Sequence, residues 1–145
     1  DKELTTLNEG LSGSWSNPAT NGQGFLIEVL PAIDTVFVAW FTYDTTAAED
    51  GETAVVGEPN HRWLTAQGTF SGTEANLTLF LTQGGIFDQN DATQTSAVGT
   101  LNIDFSSCNQ ATAEYNLTDS ELSGTIALSR LSNTSVPLCQ SLIAE

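Results

Sequence analysis

Along most of the chain, apolar and polar residues alternate with a period of two, the spacing of a half-buried strand. Gly24–Leu30 sets Phe25, Ile27 and Val29 on one face and Glu28 on the other. Glu74–Thr82 sets Ala75, Leu77, Leu79 and Leu81 against Asn76, Thr78, Phe80 and Thr82. Val98–Phe105 turns Leu101, Ile103 and Phe105 to one side, and Ala111–Leu117 does the same through Ala113 and Tyr115. Leu11–Asn17, Arg62–Ser71 and Leu122–Leu131 read as further strands. Thr35–Tyr43 is apolar on both faces, with Val36, Val38 and Trp40 alternating with Phe37, Ala39 and Phe41. Such a strand is buried on both sides or faces a partner.

Breakers separate these runs: Pro18, Pro31-Ala32-Ile33-Asp34, the polar loop Asp88–Thr95, and Asp119-Ser120-Glu121. Gly84-Gly85 is either a turn or a bulge that carries its strand on to Phe87. The pattern predicts about eight antiparallel strands and no helix of ten or more residues. Short connections between sequence neighbours favour a meander, and closing a meander removes its exposed edges. The predicted fold is all-β, an antiparallel eight-stranded up-and-down barrel, with a β-sandwich as the alternative. Residues 1–10 (DKELTTLNEG) are polar and read as an N-terminal arm, and residues 11–145 as a single barrel domain.

Composition supports strands. Thr and Ser make up about a fifth of the 145 residues, and methionine is absent. Three Lys and Arg stand against 18 Asp and Glu, a formal charge of −15. Three cations cannot neutralise a phosphate track, so nucleic acid is excluded as a partner. An anionic membrane surface is disfavoured for the same reason. No run of eighteen apolar residues is present, so no helical membrane insertion is expected. No charged-then-apolar leader opens the chain, and any signal peptide is expected to have been removed already. The charge is concentrated in residues 44–60, which carry Asp44, Glu49, Asp50, Glu52 and Glu58 and no cation.

Cys108 and Cys139 are the two cysteines. An even count in an acidic, lysine-poor chain suggests one disulfide and a secreted or periplasmic location. Two buried free thiols are the alternative. The lone histidine, His61, is remote from both cysteines, which argues against a zinc site.

Three groups of residues could carry chemistry. Trp15, Trp40, Tyr43 and Trp63, with Phe41, supply flat apolar area that stacks on sugars or lines a small-ligand cavity. Asn17 and Gln23, with Asn21 and Glu28, could orient such a ligand. The bland reading is that the aromatics fill the barrel, which at eight strands is just wide enough for side chains to pack. No cofactor is expected beyond a Ca²⁺ ion, for which Asp44, Glu49, Asp50, Asp88 and Asp91 are the oxygen-bearing candidates. The bland reading is a solvated acidic loop. Catalysis has little support: there is no nucleophile elbow and no triad. Glu28 and Asp44 are the conceivable carboxylate pair for glycoside hydrolysis.

The motifs Gly13-Ser14-Trp15-Ser16-Asn17-Pro18, Gly22-Gln23-Gly24-Phe25, Ala39-Trp40-Phe41-Thr42-Tyr43-Asp44, Phe105-Ser106-Ser107-Cys108 and Leu138-Cys139 resemble an uncharacterised β-domain of secreted Gram-negative bacterial proteins. That resemblance implies secretion and supports a Cys108–Cys139 bridge, and it carries no activity. The chain departs from the pattern in the enlarged acidic insert before His61-Arg62-Trp63-Leu64. Leu11-Ser12-Gly13-Ser14-Trp15-Ser16-Asn17 and Ser129-Arg130-Leu131 are similar to the first and last strands of avidin-like barrels. This second resemblance implies a cavity at one end and a ligand contact at Asn17. The remaining avidin-like pattern, including a serine shortly afterwards, is missing.

Three functions follow as expectations. The first is a secreted, non-catalytic module that binds glycan or a small molecule. The second is a structural, self-assembling extracellular protein of a surface layer or filament, hence a homo-oligomer. The third is an enzyme of unknown type.

Overall fold

The computed structural model describes residues 2–45 and 61–143. They form a closed antiparallel barrel in strict up-and-down order. Its strands are β1 (Gly13–Ser16), β2 (Gly24–Leu30), β3 (Thr35–Tyr43), β4 (His61–Ser71), β5 (Glu74–Gln83), β6 (Gln94–Ser107), β7 (Gln110–Leu117) and β8 (Leu122–Arg130), and one short helix, α1 (Val136–Ser141), follows. The chain therefore adopts the barrel and not the sandwich. Closure between β1 and β8 rests on two paired positions, Trp15↔Arg130 and Ser16↔Ser129.

The alternation read from the sequence sorts the two faces. Ile27, Val29, Val36, Val38, Ala66, Leu77, Leu79, Leu101 and Ile103 are buried inside. The outer face of β3 keeps Phe37 and Phe41 partly exposed. Three boundaries differ from the reading. β6 begins at Gln94, because Thr95 and Gln94 pair with Thr82 and Gln83 even though the segment is polar. β5 ends at Gln83, one residue past the alternation; of the two readings of Gly84-Gly85 the strand does not continue, and Phe87 is 94% exposed. β1 is four residues long, because a 3-10 turn at Glu9–Leu11 precedes it.

Gly68 faces the barrel interior on β4, where the chain passes very close to β5. A methyl group there would collide with the backbone carbonyl of Asn76. Gly68→Ala should destabilise the protein by about 1–3 kcal/mol, read from urea unfolding. A change within about 0.5 kcal/mol, typical of an indifferent surface site, would show that the strands separate freely there.

One end of the barrel is shut. The N-terminal segment belongs to this end: Leu4, Leu7 and Leu11 are buried in the core. Leu7 N donates to Gly72 O at 3.0 Å, tying the segment to the β4–β5 turn. Asn8 caps the 3-10 turn through its Oδ1, which accepts from Gly10 N at 2.9 Å, and its Nδ2 donates to Cys139 O at 3.2 Å. The Cys108–Cys139 disulfide joins the β6–β7 turn to α1. Gly10 lies against the Cys139 backbone, leaving no space for a side chain. Arg130 reaches across this plug. Its Nη1 donates to Gly10 O (3.0 Å) and Cys108 O (3.2 Å), and its Nη2 to Ser12 O (3.0 Å). No helix among the described residues is long and apolar enough to cross a membrane.

Candidate ligand cavity

Among the described residues the opposite end is open. The β1–β2, β5–β6 and β7–β8 connections, the end of β3 and the start of β4 lie there, as the strand order requires. The interior is thus divided: the closed half is a packed core, and the open half holds a cavity of about 320 Å³. Its inner wall is apolar, with Phe25, Trp40, Leu64, Tyr115, Leu117, Leu122 and Ile126. Phe25 and Trp40 are cross-strand partners, stacked with ring centroids 5.1 Å apart and planes at 18°. Tyr115 tilts against Trp40 at 5.7 Å. Polar side chains ring the mouth: Asn17, Thr20, Gln23, Thr42, Tyr43 and Arg62.

Asn17, Gln23, Trp40 and Tyr43, four of the candidates read from the sequence, line this cavity together. The other two tryptophans do not. Trp15 is 1% exposed and belongs to the closed end. Its Nε1 donates to Leu11 O at 2.9 Å, its ring meets the edge of Phe105 at 5.3 Å, and the Arg130 guanidinium lies 4.9 Å from its centroid. Trp63 is on the outer face of β4, beside Phe41, and is 50% exposed. Strand parity foretells this: if Leu64 and Ala66 point inward, Trp63 points outward. The same parity turns Arg62 inward, a position the sequence reading passed over.

Arg62 brings a guanidinium to the mouth. Its side chain is 10% exposed, and Nη2 donates to Asp119 Oδ2 at 2.7 Å in an ion pair. Asp119 comes from the β7–β8 turn, so the pair bridges two sides of the opening. Arg62 sits opposite Thr42 on β3, and Thr42 Oγ1 donates to Gln23 Oε1 at 2.7 Å. Asn17 Oδ1 accepts from Ala19 N at 2.9 Å, which fixes the turn after β1. Tyr43 Oη donates to Asn21 O at 3.4 Å.

Of the acidic candidates, Asp44, Asp88 and Asp91 are among the described residues. Among the described residues no group of three or more acidic, histidine or cysteine side chains is placed to hold a metal ion. Glu49 and Asp50, with Glu52 and Glu58, lie outside the described residues. Asp88 takes a left-handed conformation (φ 53°) in the β5–β6 connection, a fold of the backbone that aspartate tolerates. Glu28 projects from the outer face of β2, while Asp44 follows β3 at the open end, so they form no facing pair.

Comparison with protein-family models, with curated proteins and with solved structures finds no match to this chain.

Proposed function

We propose that the protein is a secreted binding module that takes one small molecule in the open end of its barrel and does no chemistry on it. The observation that carries this reading is the incomplete filling of the barrel. An eight-stranded barrel can be packed solid by its own side chains. Here one half is packed, and the other keeps a cavity walled by Phe25, Trp40 and Tyr115. Its volume of about 320 Å³ is near the lower limit of ligand pockets. That favours a compact molecule or a single sugar unit over an extended glycan. The polar groups of the mouth are amides, hydroxyls and a guanidinium, which orient a ligand by hydrogen bonds. The disulfide supports an oxidising compartment.

The test is a fluorescence titration with monosaccharides and small aromatic and aliphatic esters, using a Trp63→Phe background to remove the exposed indole. Trp40 lines the cavity and Trp15 does not, so a saturable change in emission should vanish on adding Trp40→Phe. An unchanged response without Trp40, or no response to the whole panel, refutes the reading.

The outer face favours a second reading, self-assembly. Leu26, Phe37, Phe41 and Trp63 are partly exposed on adjoining strands β2, β3 and β4, an apolar patch of the kind that subunits cover. Light scattering at rising concentration decides it: a monomer at every concentration removes this reading.

A further inference from the structure

The hydrogen bonds around the mouth leave a pattern that no one of its residues reveals. Both amide side chains at the mouth have their oxygen engaged within the protein. Gln23 Oε1 takes the Thr42 hydroxyl proton. Asn17 Oδ1 takes the Ala19 N–H. What these amides still offer the cavity is their NH₂ groups. Arg62 has no acceptor at all, and only its Nη2 is engaged, by Asp119. Its Nε and Nη1 have no partner among the described residues. Thr20, Thr42 and Tyr43 donate their hydroxyl protons to Asn17 O, Gln23 Oε1 and Asn21 O, so the N–H donors left at the rim are those of Asn17, Gln23 and Arg62, above an apolar chamber.

Charge narrows the class further. Lys2, Arg62 and Arg130 are the only Lys and Arg of the chain. Arg130 is spent in the closed-end plug, and Lys2 Nζ donates to Ile143 O at that same end. Arg62 is thus the one Lys or Arg at the mouth, in a chain of formal charge −15, and Asp119 already balances it. A ligand carboxylate would crowd a second anion around one guanidinium that is 10% exposed. An ammonium would bring a second positive charge beside the Arg62 guanidinium in the same small cavity. An uncharged carbonyl avoids both penalties, because it accepts hydrogen bonds and carries no net charge.

We infer that the cavity selects a small uncharged carbonyl compound, its apolar body against Trp40 and its carbonyl oxygen on the donors of Arg62 and Gln23. This rests on the cavity being a ligand site.

Three molecules with one aromatic body test it: methyl phenylacetate, phenylacetate and phenethylamine, titrated by calorimetry and by saturation-transfer NMR. The ester should bind at least about tenfold tighter than either ion. Arg62→Met should weaken the ester about tenfold, the loss expected for a hydrogen bond from a charged donor. Asp119→Asn should shift the preference about tenfold toward phenylacetate, because the balancing charge is gone while Arg62 remains. A purely structural Arg62 would lower all three affinities together and would not reverse the order. If Arg62→Met fails to fold by circular dichroism, Arg62→Gln, which keeps an NH₂ donor, replaces it with a smaller loss in the same direction. Tighter binding of phenylacetate to the unaltered protein overturns the inference, as does ester affinity indifferent to both variants. Failure of all three while another compound changes Trp40 emission overturns this inference alone. Silence of the whole panel overturns the cavity reading with it.

Discussion

Arg130→Met should destabilise the fold by about 3–5 kcal/mol, the scale of losing several hydrogen bonds from a charged donor after partial relaxation. The guanidinium donates to three carbonyls, those of Gly10, Ser12 and Cys108, and covers the Trp15 ring. A methionine of similar reach fills the space but leaves those three oxygens without this donor, and each buried unsatisfied acceptor costs about 1–3 kcal/mol before relaxation. Burial lowers the Arg130 pKa from its usual value, the signature of a charge placed among apolar groups. Its Nε is buried with no hydrogen-bond partner among the described residues, and the two terminal nitrogens make the contacts. Arg130→Lys should recover little, since one ammonium cannot reproduce the planar fork that spans three carbonyls. Urea unfolding followed by circular dichroism gives the measurement, and a loss under about 1 kcal/mol would mean that the plug closes without this residue.

Reducing the Cys108–Cys139 bridge, or replacing both cysteines by alanine, should cost roughly 3–4 kcal/mol by the chain-entropy relation for a loop of 31 residues. For a domain of 145 residues that corresponds to a fall in Tm of about 10 °C. The bridge does local work as well. Cys139 is fully buried, lies against Gly10, and offers its carbonyl to Asn8. Releasing it frees α1 from the end of the barrel. Thermal melts with and without reductant test this, and superimposable curves would show that α1 stays docked through its packing alone. The mouth lies at the far end, so ligand affinity below the melting range should be unaffected by the reductant.

The strands were legible because their faces differ. Gly24–Leu30 is a strand over the residues that the alternation marks, and β5 runs one residue past the alternation of Glu74–Thr82. The polar start of β6 was not legible, since Gln94 and Thr95 join the sheet through backbone pairing with β5 and carry no apolar signal. The six-residue α1 is too short for a helical period to register, and its docking depends on a disulfide and on the N-terminal segment. The site was half legible. Trp15 and Trp40 are both inward tryptophans on strands, and nothing in their local sequence says that one plugs the closed end while the other walls the cavity. Height along the barrel decides that, and height is set by strand stagger. Arg62 and Asp119 are 57 residues apart, and only the closed sheet makes them neighbours.

The brief pairing of β1 with β8 bears on how the barrel is made. Every other strand pairs with its neighbour in sequence, so the sheet can grow by successive hairpins, each a microsecond event in isolation. Joining Trp15 to Arg130 is different, because it closes a loop through nearly the whole chain and carries the entropic cost of a non-local contact. Until it forms, the folding chain is a curled sheet with two open edges, the form of β protein most exposed to edge-to-edge association. The contacts of Arg130 with Gly10 and Ser12 stand at that closure. The residue that seals the finished barrel also ends the interval in which two such chains could pair with each other.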